Sequence, residues 1–361
     1  MHNTTNTRNA DRNMPPQLPT RKLGKNGPQV PALGFGLMGL SLWYGAPEPD
    51  EARLKLLDRA YELGETFWDS ADVYGDSEDL VGKWFAKNPD KRNEIFLATK
   101  YANKVVSAEP GKPLQRVIDS SPEYTKEACA KSLKRLGVEC IDLYYCHRVD
   151  KKTPIEKTVE AMVELKKEGK IKYIGLSEIS SETLRRASKV HHIDAVQIEY
   201  SPFAIDIETP QIALMETCRS LGVAIVAYSP LGRGMLTGAY TSPSDFEDGD
   251  FRKMAPRFSA ENFPKNLKLV SSLQEIAKKK GCTAGQLSLA WLLAQGEDVI
   301  PIPGTKKIKY LEENLGALEV KLSEEEEKEI RSLVEDAEVH GLRYPEAFTG
   351  YLFADTPELK V

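Results

Sequence analysis

The sequence predicts an α/β fold, a (β/α)8 TIM barrel, on three observations. Short apolar or β-branched runs alternate eight times with amphipathic helical stretches, from LGFGLMGLS near the start to DVIPIPG near the end. The runs lack the alternation of a half-exposed strand, as expected of parallel strands covered by helices. Polar residues gather where the runs end, Asp69, Lys100 and His147 among them, which is where barrel strands carry their chemistry. A doubly wound sheet is the simpler rival. It commonly opens with GxGxxG after its first strand, and that motif is absent here.

Taken in order, residues 1–18 are rich in Asn, Thr and Arg and are expected to form a disordered tail. The barrel domain is expected over 19–340. TRKLGKNGPQV predicts an N-terminal hairpin turning at Lys25-Asn26-Gly27 and plugging the amino-terminal end of the barrel. The first unit pairs LGFGLMGLS with a helix over 50–63. TFWDS precedes a helix over 77–86, and EIFLATK one over 123–136. IDLYYCH leads to 154–168, YIGLS to 181–190 and AVQIEY to 208–221. AIVAYS is followed by a long loop, 231–266, too long for an ordinary connection. Helices over 266–280 and 283–295 follow it, the second capped by Thr283. DVIPIPG precedes the last barrel helix, 307–317. An extra C-terminal helix, 323–337, opens with a capping box of Ser323 and Glu326. The tail 341–361 carries RYPEAFTGYLF and is placed near the pocket. No internal repeat or domain boundary is visible.

Bulk properties narrow the function. A net charge of −5 and a pI near 5.8 argue against nucleic-acid and anionic-membrane partners. The longest apolar-looking run, Val30 to Ala46, is broken by glycines and lies too far in for a signal peptide. Five cysteines without a CxxC pair suit a reducing, cytoplasmic setting. No metal is expected, because a single histidine at the barrel mouth cannot build a hydrolase site.

The stretch TFWDSADVYGDSE joins architecture to chemistry. Asp69 ends a strand and Tyr74 follows five residues on, so a carboxylate and a phenol share one barrel end. A free phenol has a pKa of about 10 and needs a nearby cation to serve as an acid at neutral pH. Lys100, closing IFLATK, supplies one; Asp69 is expected to pair with it. His147, closing IDLYYCH, is the one histidine that follows a buried strand. As a neutral donor it is expected to steer a carbonyl oxygen towards Tyr74. Each residue alone has an ordinary explanation: a rim tyrosine, a solvated strand end, a satisfied core histidine. Their convergence favours catalysis.

With DSADVYG, LATK, YYCHR, GLSE, QIEYS, AYSPLGRG and PIPGTKK in this order, the chain resembles the aldo-keto reductase superfamily over about 20–340. It is most similar to the group of fungal and plant aldehyde, pyridoxal and alkaloid reductases. The resemblance implies NADPH-dependent reduction of a small-molecule carbonyl substrate, with Tyr74 as proton donor. It implies that Tyr228 stacks on the nicotinamide. Ser177 and Gln197 would hydrogen-bond its carboxamide; Glu178 stands where many relatives have asparagine. Ser229, Leu231 and Arg233 fall in a cofactor-binding segment. Gly304, Thr305 and Lys306 open the last barrel helix, where backbone N–H groups and lysines suit the 2′-phosphate of NADPH. Tyr310 stands where many relatives carry arginine. Glu313 and Asn314 fall where the family contacts adenine. Potassium-channel β subunits share the fold, so a cofactor-binding regulatory protein with little turnover is the alternative.

The substrate pocket is expected to be lined by Met38, Trp43, Tyr101 and Tyr200, walls that suit an aromatic or apolar aldehyde. Either the 231–266 loop or the tail, through Tyr344, Phe348 and Tyr351, would lie overhead. The loop's glycines at 232, 234 and 238, with Arg233 and Arg252 reaching phosphate, suggest a clasp over the cofactor.

Overall fold

The computed structural model describes residues 15–107 and 115–360, so most of the expected N-terminal tail lies outside the described residues. Strands β1 (Thr20–Lys22) and β2 (Gln29–Pro31) form the predicted antiparallel hairpin. Lys25 N donates to the Gly222 carbonyl at 2.7 Å, which seats the turn beside the start of a barrel strand. Leu23 and Val30 are fully buried with the barrel's own interior side chains. The hairpin is therefore the plug at the amino-terminal end.

Strands β3 (Phe35–Gly36), β4 (Phe67–Asp69) and β5 (Phe96–Tyr101) begin the barrel. An unanticipated hairpin follows, β6 (Asn103–Ser107) with β7 (Gln115–Ile118). Its valines at 105, 106 and 117 are exposed and interleaved with polar residues, so no apolar face announces it in the sequence. The barrel resumes with β8 (Ile141–Cys146), β9 (Ile171–Ser177), β10 (Ala195–Glu199), β11 (Ala224–Tyr228) and β12 (Val299–Pro301). These eight strands pair in parallel in chain order. Gly34 N to Pro301 O (3.0 Å) and Gly36 N to Pro303 O (3.1 Å) join the first strand to the last.

Side chains alternate along each strand, and the two faces form separate apolar clusters. Phe67, Ala98, Leu143, Tyr145, Ala195, Ala224, Val226, Ile300 and Ile302 fill the interior. Trp68, Leu97, Tyr144, Val196, Ile198 and Ile225 pack outward against the helices. Burying one aromatic such as Phe67 contributes on the order of 2–3 kcal/mol. Gly175 is required by this packing, since a Cβ there would lie 2.3 Å from the Tyr145 ring. Above the interior layer the next inward positions are Asp69, Lys100, His147, Ser177, Gln197 and Tyr228. The barrel's parity thus aims the candidate site residues at one point.

Most helices match their expected ranges, for example Asp50–Glu62, Pro122–Leu136 and Ser181–Val190. The expected helix over 208–221 is shorter. It starts only at Leu214, after a 3-10 turn at Asp206–Glu208. Pro210 forces Thr209 into an extended conformation, φ −66° and ψ 145°, and so delays the helix.

The long loop runs through four short 3-10 turns before the helix Phe263–Lys280. It reaches over the barrel mouth: Phe251 N donates to the Trp43 carbonyl at 2.9 Å, in the segment after β3, two strands round the ring from β11. The C-terminal tail crosses elsewhere. Ala354 N donates to Glu178 O at 2.9 Å and Ser180 N to Ala354 O at 3.1 Å, which ties the tail to the end of β9. Loop and tail together roof the mouth. Among the described residues no helix is long and apolar enough to cross a membrane.

Candidate active site

Lys100 is the hub. Its side chain is wholly buried, and its ammonium donates to Asp69 Oδ1 and to the Ser70 carbonyl at 2.6 Å each. Tyr74 OH lies 3.3 Å from the same nitrogen. The second Asp69 oxygen accepts from Gln197 Nε2 at 2.8 Å. His147 meets the Tyr74 ring edge-on, centroids 5.8 Å apart, and Trp43 meets it from another side at 5.9 Å. Met38 and Trp43 pack with Ala71, Val73 and Tyr74. The four predicted catalytic residues therefore converge.

Tyr74 sits on the turn after β4, with its own N–H bonded to Ala71 O and its carbonyl accepting from Ser77 N. Gly75 adopts φ +59° against the Ser41 carbonyl, a left-handed conformation that favours glycine.

Burial and charge set the protonation states. Burial raises the Asp69 pKa against the opposing pull of Lys100 and Gln197. Burial disfavours the Lys100 ammonium, yet Asp69 and Tyr74 outweigh it and raise the Lys100 pKa. Burial likewise raises Tyr74, with Lys100 offsetting only part of the rise. The cation expected to make Tyr74 more acidic thus moderates a desolvated phenol and does not bring it below its ordinary value. His147 is pushed well below the ordinary histidine range by burial, then by Arg148 and Lys100, so it is neutral at physiological pH.

Two expected pocket residues are corrected. Tyr101 follows inward-facing Lys100, so parity turns it outward. It stacks on Tyr144 at 5.0 Å and bonds Thr125 at 2.6 Å, under the helix Pro122–Leu136. Tyr200 stands one position past inward-facing Glu199 and packs on Trp291, its hydroxyl bonded to Glu208. Neither lines the mouth.

The cofactor candidates fall into two groups. At one end Tyr228 OH donates to Glu178 Oε1 at 2.6 Å and lies 3.2 Å from Tyr344 OH. Ser177 Oγ accepts from Arg148 Nη1 at 3.3 Å. Glu178 is completely buried, and its Oε2 has no partner among the described residues. An orphaned acceptor beside Ser177 and Tyr228 suits an amide N–H from a ligand such as a carboxamide. Ser229 turns the chain at φ +49°, and the Leu231 carbonyl accepts from Gly234 N at 3.0 Å.

At the other end Gly304 backs onto Gly36, where a Cβ would come 2.5 Å from the Gly36 carbonyl. Thr305 Oγ1 accepts from Lys307 N at 3.1 Å, just ahead of the helix Ile308–Leu315. Lys306 donates to the Tyr44 carbonyl and to Ala46 O at 3.0 Å, and Lys307 reaches Glu48 at 3.3 Å. Asn314 is buried, and Glu313 faces Leu231 across Gly285.

The two loop arginines differ from expectation. Arg233 bonds Glu199 at 3.1 Å and the Arg343 carbonyl at 2.8 Å, and stacks on Tyr344. Arg252 pairs with Asp250 at 2.6 Å among the rings of Tyr44, Tyr240 and Phe246. Arg233 thus ties the loop to β10 and to the C-terminal tail and Arg252 braces it internally, because burial demands a partner for each charge. Three further residues border the site, two of them without a sequence signal. Asn103 Nδ2 lies 3.2 Å from His147 Nδ1, Arg148 Nη1 donates to His147 O at 2.6 Å, and Arg343 neighbours Glu178 at 3.7 Å. Only the flanking motif YYCHR hinted at Arg148.

Among the described residues no group of three or more His, Cys, Asp or Glu side chains is placed to hold a metal ion.

Comparison with known proteins gives this geometry its context. Residues 32–335 match the model of the aldo/keto reductase family. Aldo-keto reductase str7 of Strobilurus tenacellus is 56% identical over 347 residues, covering 95% of this chain and 99% of that protein. Aldo-keto reductase yakc of Schizosaccharomyces pombe, whose name carries NADP(+), is 53% identical over 95% of this chain and 99% of its own length. Among solved structures, the glycerol dehydrogenase of Gluconobacter oxydans superposes with a TM-score of 0.79 at 27% identity, covering 90% of this chain and 97% of that one. The chain belongs to the aldo/keto reductase family.

Proposed function

We propose that this protein reduces aldehydes or ketones to alcohols with NADPH, and that Tyr74 donates the proton. The single observation that carries the reading is the buried chain of Asp69, Lys100 and Tyr74, at 2.6 and 3.3 Å, with neutral His147 beside the phenol. NADPH, when bound, supplies the hydride for the carbonyl carbon. Tyr74 OH faces the carbonyl oxygen and delivers its proton as charge develops there. Lys100 stabilises the phenolate left behind, and Asp69 keeps Lys100 charged and oriented. His147 donates to the same oxygen and fixes its approach.

Glu178, Ser177 and Tyr228 would hold the nicotinamide end, and the Gly304–Lys309 turn with Glu313 and Asn314 the adenosine end. The orphaned Glu178 oxygen and the lysine-rich turn before a helix fit those two chemistries. A relative named for NADP(+) supports the cofactor choice. Met38, Trp43 and Tyr344 favour an apolar or aromatic carbonyl compound. Five free cysteines suit a reducing, cytoplasmic setting.

A panel of aldehydes and ketones, followed by NADPH absorbance, tests the reading. Tyr74→Phe is expected to keep NADPH affinity and lose turnover by ~10² or more. Full turnover in that variant would remove Tyr74 as the donor.

A further inference from the structure

Tyr74 rides on a turn and not on a strand, so something must hold it 3.3 Å from Lys100. The strongest grip comes from Arg135, in the last turn of the helix Pro122–Leu136. Its Nη1 donates to the Asp72 carbonyl at 3.1 Å and its Nη2 to the Gly75 carbonyl at 2.6 Å. Those two carbonyls bracket Tyr74. The same guanidinium donates to Glu78 Oε2 at 3.1 Å and takes Asp79 through Nε and Nη2 at 3.0 and 2.7 Å. Glu78 is completely buried, and its other oxygen accepts from Thr99 Oγ1 at 2.7 Å. Thr99 is the strand neighbour of Lys100. One continuous polar path therefore runs from the Tyr74 turn through Arg135 and Glu78 to the strand that carries its partner.

Arg53 holds the turn differently. It meets the Asp76 carboxylate at 2.8 Å through both Nη atoms and touches no backbone carbonyl beside Tyr74. Planar geometry suits Arg135 to its task, since its fork engages two carbonyls and two carboxylates at once.

We propose that Arg135 is a positioning residue for proton transfer, fixing the spacing of Tyr74 to Lys100 through the carbonyls of Asp72 and Gly75. The proposal rests on Tyr74 being the proton donor. Loosening the turn lets Tyr74 drift from Lys100, which weakens the cation's hold on the phenolate. The phenol then becomes a poorer acid, while the nicotinamide and phosphate contacts, on other strands, are untouched.

The test uses Arg135→Met and the double variant Arg135→Met/Glu78→Gln, with Tyr74→Phe in parallel. The double variant removes the buried carboxylate's charge together with its partner, so it can fold where the single one fails. Kinetics use the fastest-reduced aldehyde and its alcohol, normalised to folded enzyme. The expected result is a kcat about tenfold lower, with KM and NADPH Kd within about twofold of wild type. In alcohol oxidation, where Tyr74 must accept a proton, the rise in rate with pH should move to higher pH. Wild-type kcat, or a lower kcat with an unmoved pH profile, overturns the proposal. If Tyr74→Phe itself keeps turnover, the donor assignment fails first; if it is inactive while the Arg135 variants behave as wild type, only this inference fails.

Discussion

The two ends of the candidate site are built by opposite means. At the reaction end a lysine, an aspartate and a tyrosine are sealed from solvent and bonded to one another and to Gln197. At the nucleotide end the charges stand on an open turn, where Lys307 and Lys309 are exposed and Lys306 rests on backbone carbonyls. The first arrangement is preorganised by strand geometry, costs desolvation, and is shielded from salt. The second is cheap to form and adaptable, and salt screens it. Under the proposed function, the barrel would fix the chemistry rigidly and hold charge for the cofactor loosely.

Lys100→Met should break this contrast most severely. It removes the hub and leaves Asp69 buried without its cation. Breaking a buried pair in this way costs about 3–5 kcal/mol. Turnover should fall by ~10² or more through the loss of phenolate stabilisation. Thermal unfolding and kcat on the same preparation check both effects; a variant with unchanged Tm and kcat would mean that the pair is neither structural nor catalytic.

At the open end, Lys306→Met with Lys307→Met should weaken NADPH binding by about tenfold, the worth of roughly 1.4 kcal/mol of charge-assisted contact. NADH binding should change little, and the stability of the fold hardly at all. Raising salt should weaken NADPH binding to the wild type and barely affect the double variant. Fluorescence titration at two ionic strengths reads all of this. Equal losses for NADPH and NADH would show that these lysines serve the shared pyrophosphate.

The same contrast explains what was legible in the sequence. Residues that end strands could be found from pattern, because a strand's last inward position must lie at the mouth: Asp69, Lys100, His147, Ser177 and Tyr228 all obey this. Tyr101 and Tyr200 lie beside the motif residues in sequence, yet each stands one residue beyond an inward side chain and so faces the helices. Features set by tertiary contact were hidden. Arg135 lies 60 positions from the Gly75 carbonyl that it holds, with nothing in its local sequence to mark it. Arg233 and Arg252 looked free to meet phosphate, yet each is held by a buried carboxylate, Glu199 at the end of β10 and Asp250 within the loop. The hairpin after β5 escaped because its valines point to solvent and set up no core-facing alternation.

Asn103 gives the finest test of how far the reaction end is preorganised. Its amide nitrogen lies 3.2 Å from His147 Nδ1, on the hairpin and not on a barrel strand. When this amide donates, Nδ1 must accept, so the proton of the neutral ring sits on Nε2 and is available to a carbonyl oxygen. Burial, Arg148 and Lys100 already hold the His147 pKa well below the ordinary value. Neutral His147 therefore persists as pH falls through 6.5, the ordinary value, and protonated Tyr74, raised by burial, persists as pH climbs. Wild-type kcat/KM for reduction should consequently be flat from about pH 6 to 9. Asn103→Ala should keep that flat profile with a few-fold lower rate, since the ring loses its orienting partner but not its neutrality. Asn103→Asp should do something different in kind. A carboxylate at Nδ1 favours the imidazolium, so the His147 pKa rises and an acid limb enters the measurable range. A wild-type profile in Asn103→Asp would show that the hairpin does not set the histidine's proton, and that the strands alone organise the reaction end.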